Sequence, residues 1–134
     1  MTRALMSRLS VEHVSVVRTG IGVAMLTRPA TAPQLLGVDS AAAARMSWST
    51  QMLGVREVAL GLGTLVALRR GDARGTRVWL LAGLLSDTVD ALVLTAATAR
   101  GRVSRPAGVA GAALAGGAVL AQVEALQQDP DAVR

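Results

Sequence analysis

Four long apolar runs, separated by short arginine-bearing pieces, dominate this chain of 134 residues. They run from about Val11 to Thr27, Thr50 to Leu68, Val78 to Ala99 and Val103 to Leu126. A helix rises ~1.5 Å per residue, so ~20 residues cross the ~30 Å hydrocarbon layer of a bilayer. Each run is close to that length. The spacing predicts an all-α, integral membrane four-helix bundle, built as a single transmembrane domain over residues 1–134.

Composition agrees. Hydrophobic residues make up 51% of the chain, with Trp48 and Trp79 its only aromatics, and the mean hydropathy is +0.45. A soluble core of this size leans on bulky aromatic fillers, whereas a lipid-embedded bundle of small side chains does without them. A soluble bundle would also need a broad polar face on every helix, which the third and fourth runs lack. A cleaved signal peptide, with Ala30-Thr31-Ala32 as its cleavage site, is disfavoured because Arg18 interrupts the apolar stretch. Without cysteine there is no disulfide, thiolate metal site or Cys nucleophile.

All 14 basic residues are arginine. That bias, beside the Ala, Gly and Val load, fits GC-rich coding in a bacterium and a bacterial cytoplasmic (inner) membrane. The arginines fall mainly between the apolar runs, where headgroups and the positive-inside rule account for them, so nucleic acid is not an expected partner. With both termini cytoplasmic, Arg3, Arg8, Arg69, Arg70, Arg74, Arg77 and Arg134 lie inside, against Arg28, Arg45, Arg100, Arg102 and Arg105 outside. The Arg69–Arg77 loop is the best cytoplasmic marker. Trp48 and Trp79 are expected as anchors at opposite interfaces. Within the loop of residues 28–49, Asp39 and Ser40 predict an N-capped short helix over Ala41 to Met46, lying on the membrane surface. Residues 127–134 form a polar tail.

The informative residues are charges inside the runs: Arg18 in the first, Arg56 and Glu57 in the second, Asp87 and Asp90 in the third. At ~1.5 Å per residue all five lie within roughly 5 Å of one depth. Each costs ~2.5 to 3.5 kcal/mol at a helix centre, so five facing lipid would cost on the order of 15 kcal/mol. They are therefore expected to face each other. Gly54, Glu57 and Gly61 share one face of the second helix, where a neighbour can come close. Asp87 and Asp90 share a face of the third, with Gly83 one turn before Asp87. Two carboxylates so near repel unless a cation or proton intervenes, and with three carboxylates to two arginines, one carboxyl is expected to be protonated or hydrogen-bonded to a partner. In the fourth helix Gly108, Gly111, Ala115, Gly116 and Ala118 read as a close-packing surface.

Two readings of the cluster follow. In one it is an acid/base site on a lipophilic small molecule, as in an isomerase, cyclase or epoxide-opening enzyme. Asp87 or Asp90 would be the acid, Glu57 the base, and Arg18 or Arg56 the oxyanion or substrate-orienting group. In the other it is an interhelical lock in a non-catalytic accessory or assembly subunit, partnered by a second copy or another membrane protein. A proton-coupled carrier is the third class, and needs an oligomer. His13 lies at the edge of the first run, without the partners of a ligand or base. A hard-cation site at Glu57, Asp87 and Asp90 is opposed by the two arginines. Ser86 has no histidine for a triad, and Gly61-Leu62-Gly63 lacks the rest of a dinucleotide fingerprint. No cofactor is implied.

The phrase Leu53-Gly54-Val55-Arg56-Glu57-Val58-Ala59-Leu60-Gly61-Leu62-Gly63, with Arg28-Pro29 before it and Ser86-Asp87-Thr88-Val89-Asp90 after it, resembles an uncharacterised family of small four-helix bacterial membrane proteins. The resemblance implies four spans and this charged pair of helices, and carries no established activity. More distantly the layout looks like small four-helix membrane proteins associated with quinone oxidoreductases.

Overall fold

The computed structural model describes the backbone of residues 2–128 and the side chains of residues 9–127. The side chains of Arg3 and Arg8, and the tail at 129–134 with Arg134, lie outside the described residues. Helices are the only regular elements among the described residues: α1 (Thr2–Thr27), α2 (Thr31–Leu35), α3 (Ser40–Arg45), α4 (Ser47–Arg69), α5 (Ala73–Ala99) and α6 (Arg105–Gln128). The long helices contain four stretches long and apolar enough to cross a bilayer, Leu9–Thr27, Ser47–Arg69, Ala73–Ala99 and Arg105–Gln127.

Helix ends follow local chemistry: α4 and α5 start before their apolar limits, whereas α6 starts at Arg105, two residues after the expected Val103. Asp72 accepts a hydrogen bond from Gly75 N–H at 2.8 Å, so α5 starts five residues before Val78. Two helices stop at glycines in the left-handed region, Gly71 (φ 67°) and Gly101 (φ 68°). Past each glycine a backbone N–H returns to a carbonyl of the last turn, Asp72 to Ala67 at 3.0 Å and Arg102 to Ala97 at 2.9 Å. This is the glycine-ended closure that satisfies orphan carbonyls. Pro106 stands in the first turn of α6, where a missing N–H costs nothing.

The stretch between α1 and α4 is more ordered than a loop. It holds α2, unexpected from the sequence, as well as α3. Asp39 caps α3 as expected, accepting from Ala42 N–H at 2.9 Å. Ala43 of α3 is fully buried and α3 packs on both α2 and α4, so it rests on protein.

The four long helices form a ring in the order α1, α4, α5, α6, with α1 most closely paired to α4 and α5 to α6. Burial is inverted relative to a soluble bundle. Ser15, Thr50, Glu57, Thr64, Asp87 and Gln122 are buried. Leu92, Leu114 and Leu120 are 66%, 76% and 71% exposed. Large apolar side chains pointing out all round, over a partly polar interior, need lipid as solvent.

Helix contacts are made through glycine, chiefly between α1 and α4. A Cβ at Gly61 would lie 2.7 Å from the carbonyl oxygen of Ser15, so the stripe expected around Glu57 does receive a neighbour. The surface expected on α6 is only partly used. Gly108 packs against Thr98 and Gly111 against Leu94, but a Cβ at Gly116 would meet nothing within 4 Å. Gly116 is half-buried but has open space where a side chain would stand. Trp48 is 66% exposed at the start of α4, as an anchor would be. Trp79 instead lies over Gly63, where a Cβ would come within 2.6 Å of its ring, and fills the α4–α5 seam.

Candidate functional site

Arg18, Arg56 and Asp90 stand nine residues from Thr27, Ser47 and Ala99 respectively. Those three helix ends lie on one side of the bundle, so the groups share a layer ~14 Å below it. Close approach of α1 to α4 brings Arg18 to Glu57, and Gly83 on α5 leaves room for the guanidinium. A Cβ at Gly83 would stand 3.0 Å from Arg18 Nη1.

Two arginines then divide three carboxylates. Arg18 donates from Nε to Glu57 Oε2 at 2.5 Å and from Nη2 to Asp87 Oδ1. It thereby ties α1 to α4 and, across the ring, to α5. Arg56 donates to Glu57 Oε1 from Nε at 3.2 Å and from Nη2 at 3.1 Å. It also grips Asp90 with two nitrogens, Nη2 to Oδ2 at 2.5 Å and Nη1 to Oδ1 at 3.3 Å. Glu57 is thus shared between the arginines, while Asp87 and Asp90 each have their own. That resolves the expected repulsion between the two aspartates.

The last carboxylate oxygen is held by a residue the sequence reading passed over. Gln122 of α6 donates from Nε2 to Asp87 Oδ2 at 2.6 Å. It is the hydrogen-bond partner that the charge count required, and it brings the fourth helix into the layer. Its signal in the sequence was an uncharged amide within an apolar run, which a search for ionisable residues does not register. All six carboxylate oxygens of Glu57, Asp87 and Asp90 therefore accept at least one hydrogen bond.

Gln122 itself is 4% exposed, and its Oε1 is buried with no hydrogen-bond partner. An unpaired buried acceptor costs ~1–3 kcal/mol. It lines a small cavity of about 20 Å³ with Arg18, Ser15, Thr64, Gly83 and Leu80 among its walls.

The layer is not equally covered. The side chains of Arg18, Glu57 and Asp87 are 11%, 12% and 7% exposed, whereas Arg56 and Asp90 are each 34% exposed. The Arg56–Asp90 pair opens sideways at the α4–α5 seam. A larger groove of about 350 Å³ lies elsewhere, between α5 and α6, lined by Thr95, Thr98, Arg105, Gly108 and Ala112 among others. It includes none of the five charged residues. His13 is exposed on α1. Its neighbour Glu12 meets Arg69 at 3.4 Å on the surface. Ser86 is half-buried beside Asp87.

Apolar outside and tied by ion pairs within, four membrane-capable helices define a small multi-pass membrane protein. The chain belongs to an uncharacterised family: the model described as "Domain of unknown function (DUF4267)" matches residues 15–124. That stretch contains every residue of the charged layer, Gln122 included. No curated protein and no solved structure matches the chain.

Proposed function

We propose that this chain is a non-catalytic assembly subunit, in which the charged layer locks four helices in register and the α4–α5 side docks a second copy. We place it in a bacterial cytoplasmic membrane with both termini inside. The observation that carries the lock is that Arg18, Arg56 and Gln122 tie all four long helices together through the three carboxylates. Each carboxylate oxygen accepts from Arg18, Arg56 or Gln122, and hydrogen bonds to the charged form lower the basicity that a general base needs. A cavity beside the cluster of about 20 Å³ is also far short of the ~300 Å³ that small-molecule sites start from.

The docking side is supported by the Arg56–Asp90 pair. One-third exposed near mid-bilayer, it is costly against hydrocarbon and calls for a polar cover. The pair is self-complementary: cation and anion lie at one depth on neighbouring helices. A twofold axis along the membrane normal would set Arg56 of each copy against Asp90 of the other. Around it Met52, Val55 and Val93, 65%, 58% and 60% exposed, offer apolar contact.

Since the chain has no native cysteine, single-cysteine variants test the docking directly. Oxidation in native membranes should cross-link Met52→Cys or Val93→Cys into dimers and leave Leu114→Cys on α6 monomeric. Equal or absent cross-linking at all three removes the second copy. Native mass spectrometry tests the lock against acid/base chemistry on a lipophilic molecule. A metabolite held by the parent and lost from a folded Glu57→Gln variant would make the cluster a ligand site and overturn the lock.

A further inference from the structure

We infer that the cavity between Arg18 and Gln122 is a built site for one water molecule, which completes the hydrogen bonding of the charged layer from the side of the Arg69–Arg77 loop. The size fits: about 20 Å³ exceeds the ~10–15 Å³ of probe-occupied space that one water needs. The chemistry fits as well. Gln122 Oε1 is a buried acceptor without a partner among the described residues. Its amide cannot simply turn over, because Nε2 is committed to Asp87 Oδ2 at 2.6 Å and Oε1 in its place would face a carboxylate oxygen.

Opposite stands a donor. Arg18 spends Nε and Nη2 on Glu57 and Asp87, which leaves Nη1 for another acceptor. Nη1 and Gln122 Oε1 each lie 3.0 Å from the point where a Cβ at Gly83 would sit, so the missing methyl leaves them flanking one small space. Two hydroxyls complete the walls. Ser15 donates to Val11 O at 2.8 Å and Thr64 to Leu60 O at 2.7 Å, so both oxygens remain acceptors. One donor and several acceptors suit a molecule that accepts once and donates twice, which is water. A cation is disfavoured by the guanidinium, and an anion by the surplus of acceptors.

The placement gives the water a source. Val11 and Thr64, which also line the cavity, lie about two turns, ~10 Å, from the charged layer toward the Arg69–Arg77 end. The lock is therefore hydrated from one side at Arg18, independently of whether the α4–α5 side docks a partner.

Radiolytic hydroxyl footprinting with ¹⁸O water, on the full chain in lipid nanodiscs, tests this. Leu80 lines the cavity and is 9% exposed, whereas Leu92 is 66% exposed on the outside of the bundle. We expect Leu80 to be oxidised several-fold faster than Leu92, and to fall to the rate of Leu92 in a Gln122→Met variant that remains helical. If Gln122→Met does not fold, the pair Ser15→Ala and Thr64→Val removes two acceptors but keeps the Gln122–Asp87 bond, and should lower Leu80 labelling. Labelling of Leu80 at the Leu92 rate in the parent, or labelling unchanged in the folded variant, overturns the proposal.

Discussion

Gly22 and Gly54 face each other across α1 and α4 so closely that a Cβ on either would lie within 2.9 Å of the other's carbonyl oxygen. This crossing sets the distance at which Arg18 reaches Glu57. Overpacking at such a backbone contact typically costs ~1–3 kcal/mol. Gly22→Ala and Gly54→Ala should each lower the unfolding temperature in detergent. Gly116→Ala, whose new methyl meets nothing within 4 Å, should raise it, by up to ~1 kcal/mol of helix propensity. Equal responses at the three positions would show that the α1–α4 crossing is not a tight contact.

Removing Arg18 should be more damaging than removing the whole arrangement it serves. Arg18→Met strips the donors from Glu57 Oε2 and Asp87 Oδ1, and breaking a buried pair this way costs ~3–5 kcal/mol because charges are left uncompensated. Adding Glu57→Gln and Asp87→Asn leaves Arg56 with Asp90, a neutral pair. The triple variant should unfold at a higher temperature than Arg18→Met alone. A triple variant less stable than the single one would mean that the carboxylates do not depend on Arg18.

The surface pair offers the control. Arg69 and Glu12 are 69% and 40% exposed at 3.4 Å, and exposed pairs contribute ~0–1 kcal/mol. Arg69→Ala should leave the unfolding temperature nearly unchanged and insensitive to added salt. A loss as large as that of Arg18→Met would place Glu12 in the lock.

What the sequence made legible was whatever depends on one helix at a time. Run length foretold four helices long and apolar enough to span a membrane, and the cost of charge in hydrocarbon foretold that Arg18, Arg56, Glu57, Asp87 and Asp90 would meet. Pairing depends on which helices are neighbours, and there the one-dimensional pattern says little. Nothing in it divides the aspartates between Arg18 and Arg56, or marks Gly22 rather than Gly116 as the glycine in contact. Gln122 escaped notice because its importance comes from the oxygen of Asp87 left over by Arg18. Trp79 reads as an interfacial anchor until Gly63 is known to lie beneath it. Helix starts were misplaced where a cap such as Asp72 carries the helix beyond its apolar segment.

Orientation can be decided at the two ends of α5. Ala73 and Ala99 lie 26 residues apart on it, ~39 Å along the axis, enough to put them on opposite sides of the hydrocarbon. The turn between α4 and α5, with the helix ends that flank it, carries four arginines in the nine residues Arg69 to Arg77, and positive charge beside short loops is retained on the cytoplasmic side. A membrane-impermeant maleimide applied to intact spheroplasts should label Ala99→Cys and reach Ala73→Cys only after permeabilisation. The reverse pattern would place the arginine-rich loop outside, and with it the side from which water reaches Arg18. Labelling of both positions without permeabilisation would show that α5 does not cross the bilayer, in which case the exposed leucines of α5 and α6 would need a protein cover instead of lipid.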